Sequence, residues 1–154
     1  MAIIKKFDLA SLESVCEVLG DTANGLTGTQ ISKYLAECDI YDPQLNSTKR
    51  KKLYDALEFK QRNDKCSNNL IHFLQHVMKP SRHVKNPNWF HEIRNQLNFI
   101  LSFEGLEIEH TGIIKQITAS KTLSEAEERA LKLKKVLIDR NIHNDVLLFC
   151  KAEL

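Results

Sequence analysis

The sequence predicts a mainly α-helical protein with one small β-hairpin, an α+β fold arranged as a multi-helix bundle. Apolar residues recur at intervals of three and four along most of the 154-residue chain, which is the spacing of a buried helix face. Cap residues, glycines and prolines divide this pattern into separate helices. Only residues 106–117 combine alternating polarity with β-branched residues, as a hairpin does.

The first helix is predicted over residues 9–19. Asp8 stands at the N-cap position, where its carboxylate is expected to accept hydrogen bonds from the first turn, and Gly20 stands at the expected end. One face is apolar and should be buried; it carries Leu12, Val15, Cys16 and Leu19.

The second helix follows a turn at Asn24 and Gly25. Thr27 and Gln30 have the spacing of a capping box, in which each side chain accepts a hydrogen bond from the backbone of the other residue. An Asp-Pro pair at 42–43 then interrupts the chain. The residues that should face inward are Ile31, Tyr34 and Leu35.

A third helix is predicted from about Thr48 to Gln61, with an inward stripe that ends at Lys60. Its first turn carries four successive cations, Lys49, Arg50, Lys51 and Lys52. The free N–H groups already make a helix start partly positive, so each cation there costs about 0.3–1 kcal/mol at low salt. The same N–H groups bind anions. We therefore expect a polyanion or acidic partner residues near Thr48–Lys52, the alternative being that solvent and salt screen the run.

Nucleic acid is one such polyanion, and three short helices fit the core of a helix-turn-helix domain as well as any small bundle. Two features argue against the specific motif. Residues 38–47 form a longer link than its tight turn. The predicted hairpin also comes far after the third helix, whereas a winged helix places it directly after.

The fourth helix is predicted over about residues 68–78, before Pro80. The fifth has the clearest start in the chain, with Asn86 as the cap and Pro87 in the first helical position. It should be the central core helix and should end near Gly105. Its apolar face carries Trp89, Phe90, Ile93, Leu97, Ile100 and Leu101.

Two further helices complete the pattern. Thr122 and Glu125 form a capping box for a helix whose acidic residues precede its basic ones, the order that the helix dipole favours. Residues 144–154 begin a new apolar phrase and are expected to start another helix. Its apolar side chains would be exposed without a partner. This predicted partner surface consists of Leu147, Leu148 and Phe149.

No motif predicts catalysis, a cofactor or a metal site, so the chain is not expected to be an enzyme. The five glycines are scattered singly and form no phosphate-binding loop. His72 and His76 have the spacing of metal ligands on a helix but lack a third ligand nearby. His91, Glu92 and Arg94 are expected on the exposed flank of the fifth helix. The four cysteines are far apart in sequence and are expected to be reduced thiols.

Bulk composition indicates a globular protein of one domain, with 42% hydrophobic and 27% charged residues. The chain has no apolar stretch suited to a secretory signal, and no run approaches the roughly eighteen apolar residues of a membrane helix. We therefore expect a cytoplasmic location and no contact with a membrane.

Several short sequence motifs occur in a recognisable order, among them Gly-Leu-Thr-Gly at 25–28 and Thr-Lys-Arg at 48–50. The segments that contain them are Gly25–Ile31, Ile40–Pro43, Thr48–Leu57, Phe99–Leu106, Thr122–Leu133 and His143–Leu154. Together they resemble the N-terminal domain of AbiJ-like abortive infection proteins, in particular the bacterial group known as the Ymh family of hypothetical proteins.

The resemblance implies that residues 1–143 form the N-terminal helical domain of such a protein and that residues 144–154 begin a truncated, HEPN-like C-terminal helix. Such proteins pair a sensing or regulatory domain with a HEPN-like domain that often acts as a ribonuclease in phage defence. The implied function is a non-catalytic regulatory or sensor module of phage defence. Its implied partner is a HEPN-like effector domain or another protein. The alternative is a nucleic-acid-binding domain that uses Thr48–Lys52.

Overall fold

Residues 3–42 and 47–132 are described by the computed structural model of the chain. They form a mainly helical fold with one two-stranded antiparallel sheet, which confirms the predicted α+β class. Two short 3-10 turns, Pro80–Arg82 and Ser102–Glu104, precede and follow the helix Pro87–Leu101. The elements in chain order are α1 (Leu9–Leu19), α2 (Gly28–Glu37), α3 (Lys49–Asp64), α4 (Asn68–Val77), α5 (Pro87–Leu101), β1 (Leu106–Ile108), β2 (Ile114–Gln116) and α6, which begins at residue 123 and includes residue 132.

Part of the predicted organisation lies outside the described residues. This holds for the segment 144–154 and for the partner surface at Leu147, Leu148 and Phe149. Within the described ranges, none of the helices has both the length and the apolar character needed to cross a bilayer.

The starts of α2 and α5 follow the predicted cap signals, whereas the start of α1 does not. In α2, Gln30 N–H donates to Thr27 Oγ1 at 3.1 Å and Thr27 N–H donates to Gln30 Oε1 at 2.9 Å, which confirms the capping box. At α5, the Asn86 side chain accepts a hydrogen bond from Trp89 N–H at 3.4 Å. Asp8 occupies the N-cap position of α1, but its side chain accepts no capping hydrogen bond, so that prediction was wrong.

The core lies where α1 packs against α3 and α5 and where α4 closes the bundle against α2 and α3. Burying a large aliphatic or aromatic side chain of this kind contributes about 1.5–3 kcal/mol. The largest fully buried side chains include Leu12, Leu19, Leu26, Ile31, Leu35, Leu53, Leu57, Phe73, Leu74, Met78, Ile93 and Leu97.

The inward stripe of α3 ends at Gln61, which is 4% exposed, and not at Lys60 as predicted. The Gln61 amide explains the difference, because it pairs with the backbone of Phe7 in both directions. Phe7 N–H donates to Gln61 Oε1 at 3.1 Å, and Gln61 Nε2 donates to the Phe7 carbonyl at 3.2 Å. A polar side chain is tolerated in the core when its hydrogen-bonding groups are satisfied in this way.

The hairpin packs on α5 through β1, whereas α3 packs mainly on α1 and α4. Ile108 N–H donates to Asn98 Oδ1 at 2.6 Å, and Asn98 Nδ2 donates to the Ile108 carbonyl at 3.0 Å. Strand β1 therefore pairs with an α5 side chain on one edge and with β2 on the other. The predicted turn is present, with Gly112 at a φ of 85°, which favours glycine.

Helix α6 begins with only part of the predicted capping box. Glu125 N–H donates to Thr122 Oγ1 at 3.2 Å, but the Glu125 carboxylate accepts from Lys121 N–H at 2.8 Å and not from Thr122. Ala126, in this first turn, is fully buried.

Candidate functional site

The N-terminus of α3 lies against the C-terminus of α1, which explains why four cations are tolerated there. Gly20 ends α1, and a Cβ at this position would lie 2.8 Å from the backbone nitrogen of Arg50. The carbonyl end of α1, which carries partial negative charge, therefore faces the N–H end of α3. The sequence signal for this arrangement was Gly20. Only the packing of the two helices shows that Gly20 lies against the backbone of Arg50.

The partly buried side chain of Lys49 is hydrogen-bonded within the fold. Its Nζ donates to the carbonyl oxygen of Asp21 at 2.8 Å and to that of Leu26 at 2.8 Å. Both carbonyls belong to the loop between α1 and α2. The ammonium group therefore provides a hydrogen-bond donor to these two loop carbonyls, and the two bonds hold the loop against α3.

Lys52 is also held within the chain. Its Nζ donates to Ser32 Oγ at 2.5 Å and forms an ion pair with Asp42 at 3.2 Å. The side chains of Lys52 and Asp42 are only 17% and 16% exposed, so this pair is partly shielded from water. Asp42 is an acidic neighbour of the kind expected for the basic run, and it comes from the same chain.

Arg50 and Lys51 remain available at the surface. Both side chains are exposed, and neither makes a hydrogen bond or an ion pair with the described residues. Thr48 caps the helix, since its Oγ1 accepts from Lys51 N–H at 3.3 Å. The five predicted site residues therefore divide into one cap, two cations used inside the fold and two free cations.

A groove of about 720 Å³ lies between α1 and α5, with Arg50 at its wall. We name it the α1–α5 groove. Its apolar lining comes from Val18, Ile93, Phe99 and Ile100. Its polar lining comes from Ser14, Glu17, Asp21, Asn24, Asn95, Gln96 and Arg50.

A second hollow, of about 430 Å³, lies between α1 and the start of α3. Arg50 and Glu17 line both hollows, and Glu13 is a second carboxylate that lines the smaller one together with Lys51. No ion pair joins these acids to Arg50 or Lys51 in the described part of the chain. They nevertheless lower the positive potential that the two free cations produce.

A polar cluster elsewhere in the bundle joins α2, α4 and the Pro80–Arg82 turn. His76 Nε2 donates to the Glu37 carboxylate, which also forms an ion pair with Arg82 at 3.3 Å. The Arg82 guanidinium lies 5.0 Å from the centre of the Tyr34 ring, and Arg82 Nε donates to the His76 carbonyl at 3.0 Å. The hydrogen bond from His76 is the main cause that lowers the pKa of Glu37.

The sequence also drew attention to His72, His76 and Arg94, which the structure places as follows. Within the described ranges, His72 and His76 belong to no group of three or more residues that is arranged to hold a metal ion. Arg94 was predicted on the exposed flank of α5, but it is 3% exposed and its Nε donates to the Ile108 carbonyl at 2.8 Å. That prediction was wrong because the hairpin covers this side of the helix.

The cysteines at 16 and 38 are buried, free thiols. Burial raises the pKa of Cys16 to about 12 and that of Cys38 to about 11. A thiolate is the nucleophilic and metal-binding form of cysteine, so neither side chain is suited to such chemistry near neutral pH.

Comparison of the chain with protein-family models, with curated proteins and with solved structures gave no match.

Proposed function

We propose that this chain is a non-catalytic regulatory or sensor module of a bacterial phage-defence protein of the AbiJ-like type, acting in the cytoplasm through contacts with other proteins. The α1–α5 groove is the observation that carries this proposal, because an apolar floor beside a free guanidinium suits a protein partner. The ordered sequence phrases supply the family assignment. The partner is a HEPN-like effector domain or another protein.

The use of the basic run favours a protein partner over a polyanion. Lys49 and Lys52 bind oxygen atoms of the chain itself. Only Arg50 and Lys51 are free, and carboxylates lie beside both. Proteins that bind nucleic acid through the backbone commonly neutralise roughly 6–10 phosphates. Two cations with acidic neighbours are few compared with the number of phosphates that such proteins neutralise.

The experiment that tests this function uses the full chain and a separately purified HEPN-like domain of an AbiJ-like protein. Binding is measured by isothermal titration calorimetry, and the rate of RNA cleavage by that domain is measured with and without the chain. We expect binding at one chain per domain and a changed cleavage rate. If neither binding nor a changed rate is seen, the proposed function is wrong.

Nucleic-acid binding through Thr48–Lys52 is the second candidate, favoured by the exposed positions of Arg50 and Lys51. Each neutralised phosphate of duplex DNA contributes about −0.9 to the slope of log K against log salt. Two free cations therefore predict a slope of about −1.8 in an anisotropy titration with a labelled duplex. A slope near that value, together with loss of binding in the variant Arg50→Glu with Lys51→Glu, would support this candidate over the protein-contact function.

A further inference from the structure

We propose that the C-terminal half of α3 and the chain beside it bind single-stranded nucleic acid, with bases stacked on an aromatic pair and phosphates bound at an adjacent basic hollow. The aromatic pair consists of Tyr41 and Phe59, and Arg62 joins it to the hollow. This site goes beyond the proposed function. It is also separate from the basic run, since Arg62 follows Lys51 by eleven residues on one helix, about 17 Å along the axis.

Both rings of the aromatic pair are exposed. Tyr41 is 70% exposed and Phe59 is 42% exposed, whereas Phe7, Phe73 and Phe90 are buried in the core. The centres of the two exposed rings lie 6.4 Å apart at an angle of 55°, so the rings are tilted against each other and are not stacked. Rings that stay this exposed in the free chain leave flat apolar faces on which bases can stack.

Arg62 connects the aromatic pair with a cationic surface. Its guanidinium carbon lies 5.6 Å from the centre of the Phe59 ring, and its side chain is 61% exposed. A planar guanidinium stacks on bases as it does on aromatic rings, and it binds phosphate oxygens. The ion pair between Arg62 and Glu58, at 3.5 Å, lies at the surface, where such pairs contribute little. Arg62 is therefore able to contact a base and a phosphate of the same strand.

The basic hollow, of about 450 Å³, lies between the chain that precedes α1 and the end of α3. Its lining includes four exposed cations, Lys5, Lys6, Arg62 and Lys65. The side chains of the three lysines make no hydrogen bond or ion pair with the described residues. Two carboxylates, those of Asp8 and Glu58, line the same hollow and leave a formal excess of two positive charges. The α1–α5 groove has the opposite balance, since Glu17 and Asp21 line it with Arg50.

A single strand fits this surface better than a duplex or an acidic protein segment does. Each nucleotide carries a flat base and a phosphate, and the surface presents flat rings and exposed cations side by side. The bases of a duplex are stacked on each other, so the aromatic pair would remain uncovered. An acidic peptide would pair with the cations, but its carboxylate side chains have no ring to stack on Tyr41 or Phe59.

The probes are a labelled oligouridylate and a labelled oligothymidylate of about 12 nucleotides, within the site sizes of small single-strand-binding folds. Anisotropy is measured with the full chain at a series of salt concentrations, and binding of either strand supports the site. Each phosphate neutralised on a single strand contributes about −0.7 to the slope of log K against log salt. The variant Lys5→Glu with Lys6→Glu should therefore weaken binding and make the slope shallower by about 1.4. Lys85→Glu, at an exposed lysine outside the hollow, is the control and should leave the slope unchanged.

Leucine variants of the aromatic pair separate stacking from apolar contact. Tyr41→Leu and Phe59→Leu keep an apolar side chain at an exposed position but remove the flat ring, and each should weaken binding of the strand about tenfold. Thermal unfolding checks that the fold is retained. Val84→Ala is the matched control, because Val84 is 76% exposed and belongs neither to the aromatic pair nor to the hollow. It should bind both strands as tightly as the wild type.

Several outcomes would overturn the inference. One is that neither strand binds the full chain, and another is that both leucine variants bind as tightly as the wild type. A duplex of the same length, or a peptide of glutamates, that binds more tightly than both strands would assign the surface to that ligand instead. Loss of strand binding in Arg50→Glu with Lys51→Glu, but not in Lys5→Glu with Lys6→Glu, would place the strand at the start of α3. None of these results bears on binding of the HEPN-like domain, so the proposed function is tested separately.

Discussion

The ammonium group of Lys49 donates to the carbonyl oxygen of Leu26 at 2.8 Å, and this bond fixes the first turn of α3 to the end of the α1–α2 loop. The same nitrogen reaches the Asp21 carbonyl at the start of that loop. One cation thus closes the loop across both of its ends. The charge that looks misplaced on an isolated helix is stabilising in the folded chain, because its partners come from elsewhere in the sequence.

Replacing Lys49 by methionine should destabilise the fold while keeping most of the apolar stem of the side chain. Hydrogen bonds to charged groups contribute about 1.5–3 kcal/mol, so we expect the free energy of unfolding in urea to fall by about that amount. Lys51→Met is the matched control on the same turn. That variant removes a free cation from a helix start and should leave stability unchanged or raise it by up to about 1 kcal/mol. Equal losses for the two variants would contradict the role of Lys49.

Gly25→Ala should be strongly destabilising, and Gly28→Ala should not. A Cβ at Gly25 would lie 2.5 Å from the carbonyl oxygen of Leu19 and 2.5 Å from the backbone nitrogen of Asp21. Backbone atoms cannot move aside easily, and overpacking of this kind costs about 1–3 kcal/mol. At Gly28, in the first turn of α2, nothing lies within 4 Å of the added methyl group. There the substitution should stabilise by about 0.4–1 kcal/mol, and thermal unfolding of both variants checks the difference.

Local sequence signals predicted where the helices start, whereas the contacts of the cations at residues 49–52 depend on residues that are distant in the sequence. Thr27 and Gln30 lie three positions apart, so the sequence alone specifies their contact. Lys49 and Asp21 are separated by 28 positions and meet only because α1 packs on α3. Nothing in the composition of residues 49–52 distinguishes the cations that face the loop from those that face solvent. The sequence therefore indicated the region Thr48–Lys52. It did not indicate which of these residues bind within the fold and which are exposed.

Glu37→Gln should change how stability depends on acidic pH. The pKa of Glu37 is lowered in the folded chain, first by the hydrogen bond from His76. A lowered folded-state pKa contributes stability above the unfolded pKa, and this contribution is lost as the pH falls through the folded value. Below about pH 4.5, the ordinary pKa of a glutamate side chain, the wild type should therefore lose stability more steeply than Glu37→Gln.

The measurement for Glu37 is urea unfolding at a series of pH values from neutral to strongly acidic. Glu127→Gln serves as the control, because Glu127 is exposed and has no hydrogen bond or ion pair with the described residues. Its pH profile should follow that of the wild type. Parallel profiles for Glu37→Gln and the wild type through the acidic range would show that the His76 bond has no effect on stability.

Asn98→Leu should detach the hairpin from α5. The Asn98 amide accepts from Ile108 N–H and donates to the Ile108 carbonyl, so its loss leaves the N–H of a fully buried strand residue without this partner. An unsatisfied buried group costs about 1–3 kcal/mol, and we expect a loss of that size together with faster hydrogen exchange at the Ile108 amide. Asn95→Leu is the control on the same helix, one turn away. Its side-chain oxygen has no hydrogen-bond partner among the described residues, so this variant should be neutral or more stable. If Asn98→Leu leaves exchange at Ile108 as slow as in the wild type, the strand is held by its other contacts, among them the Arg94 side chain.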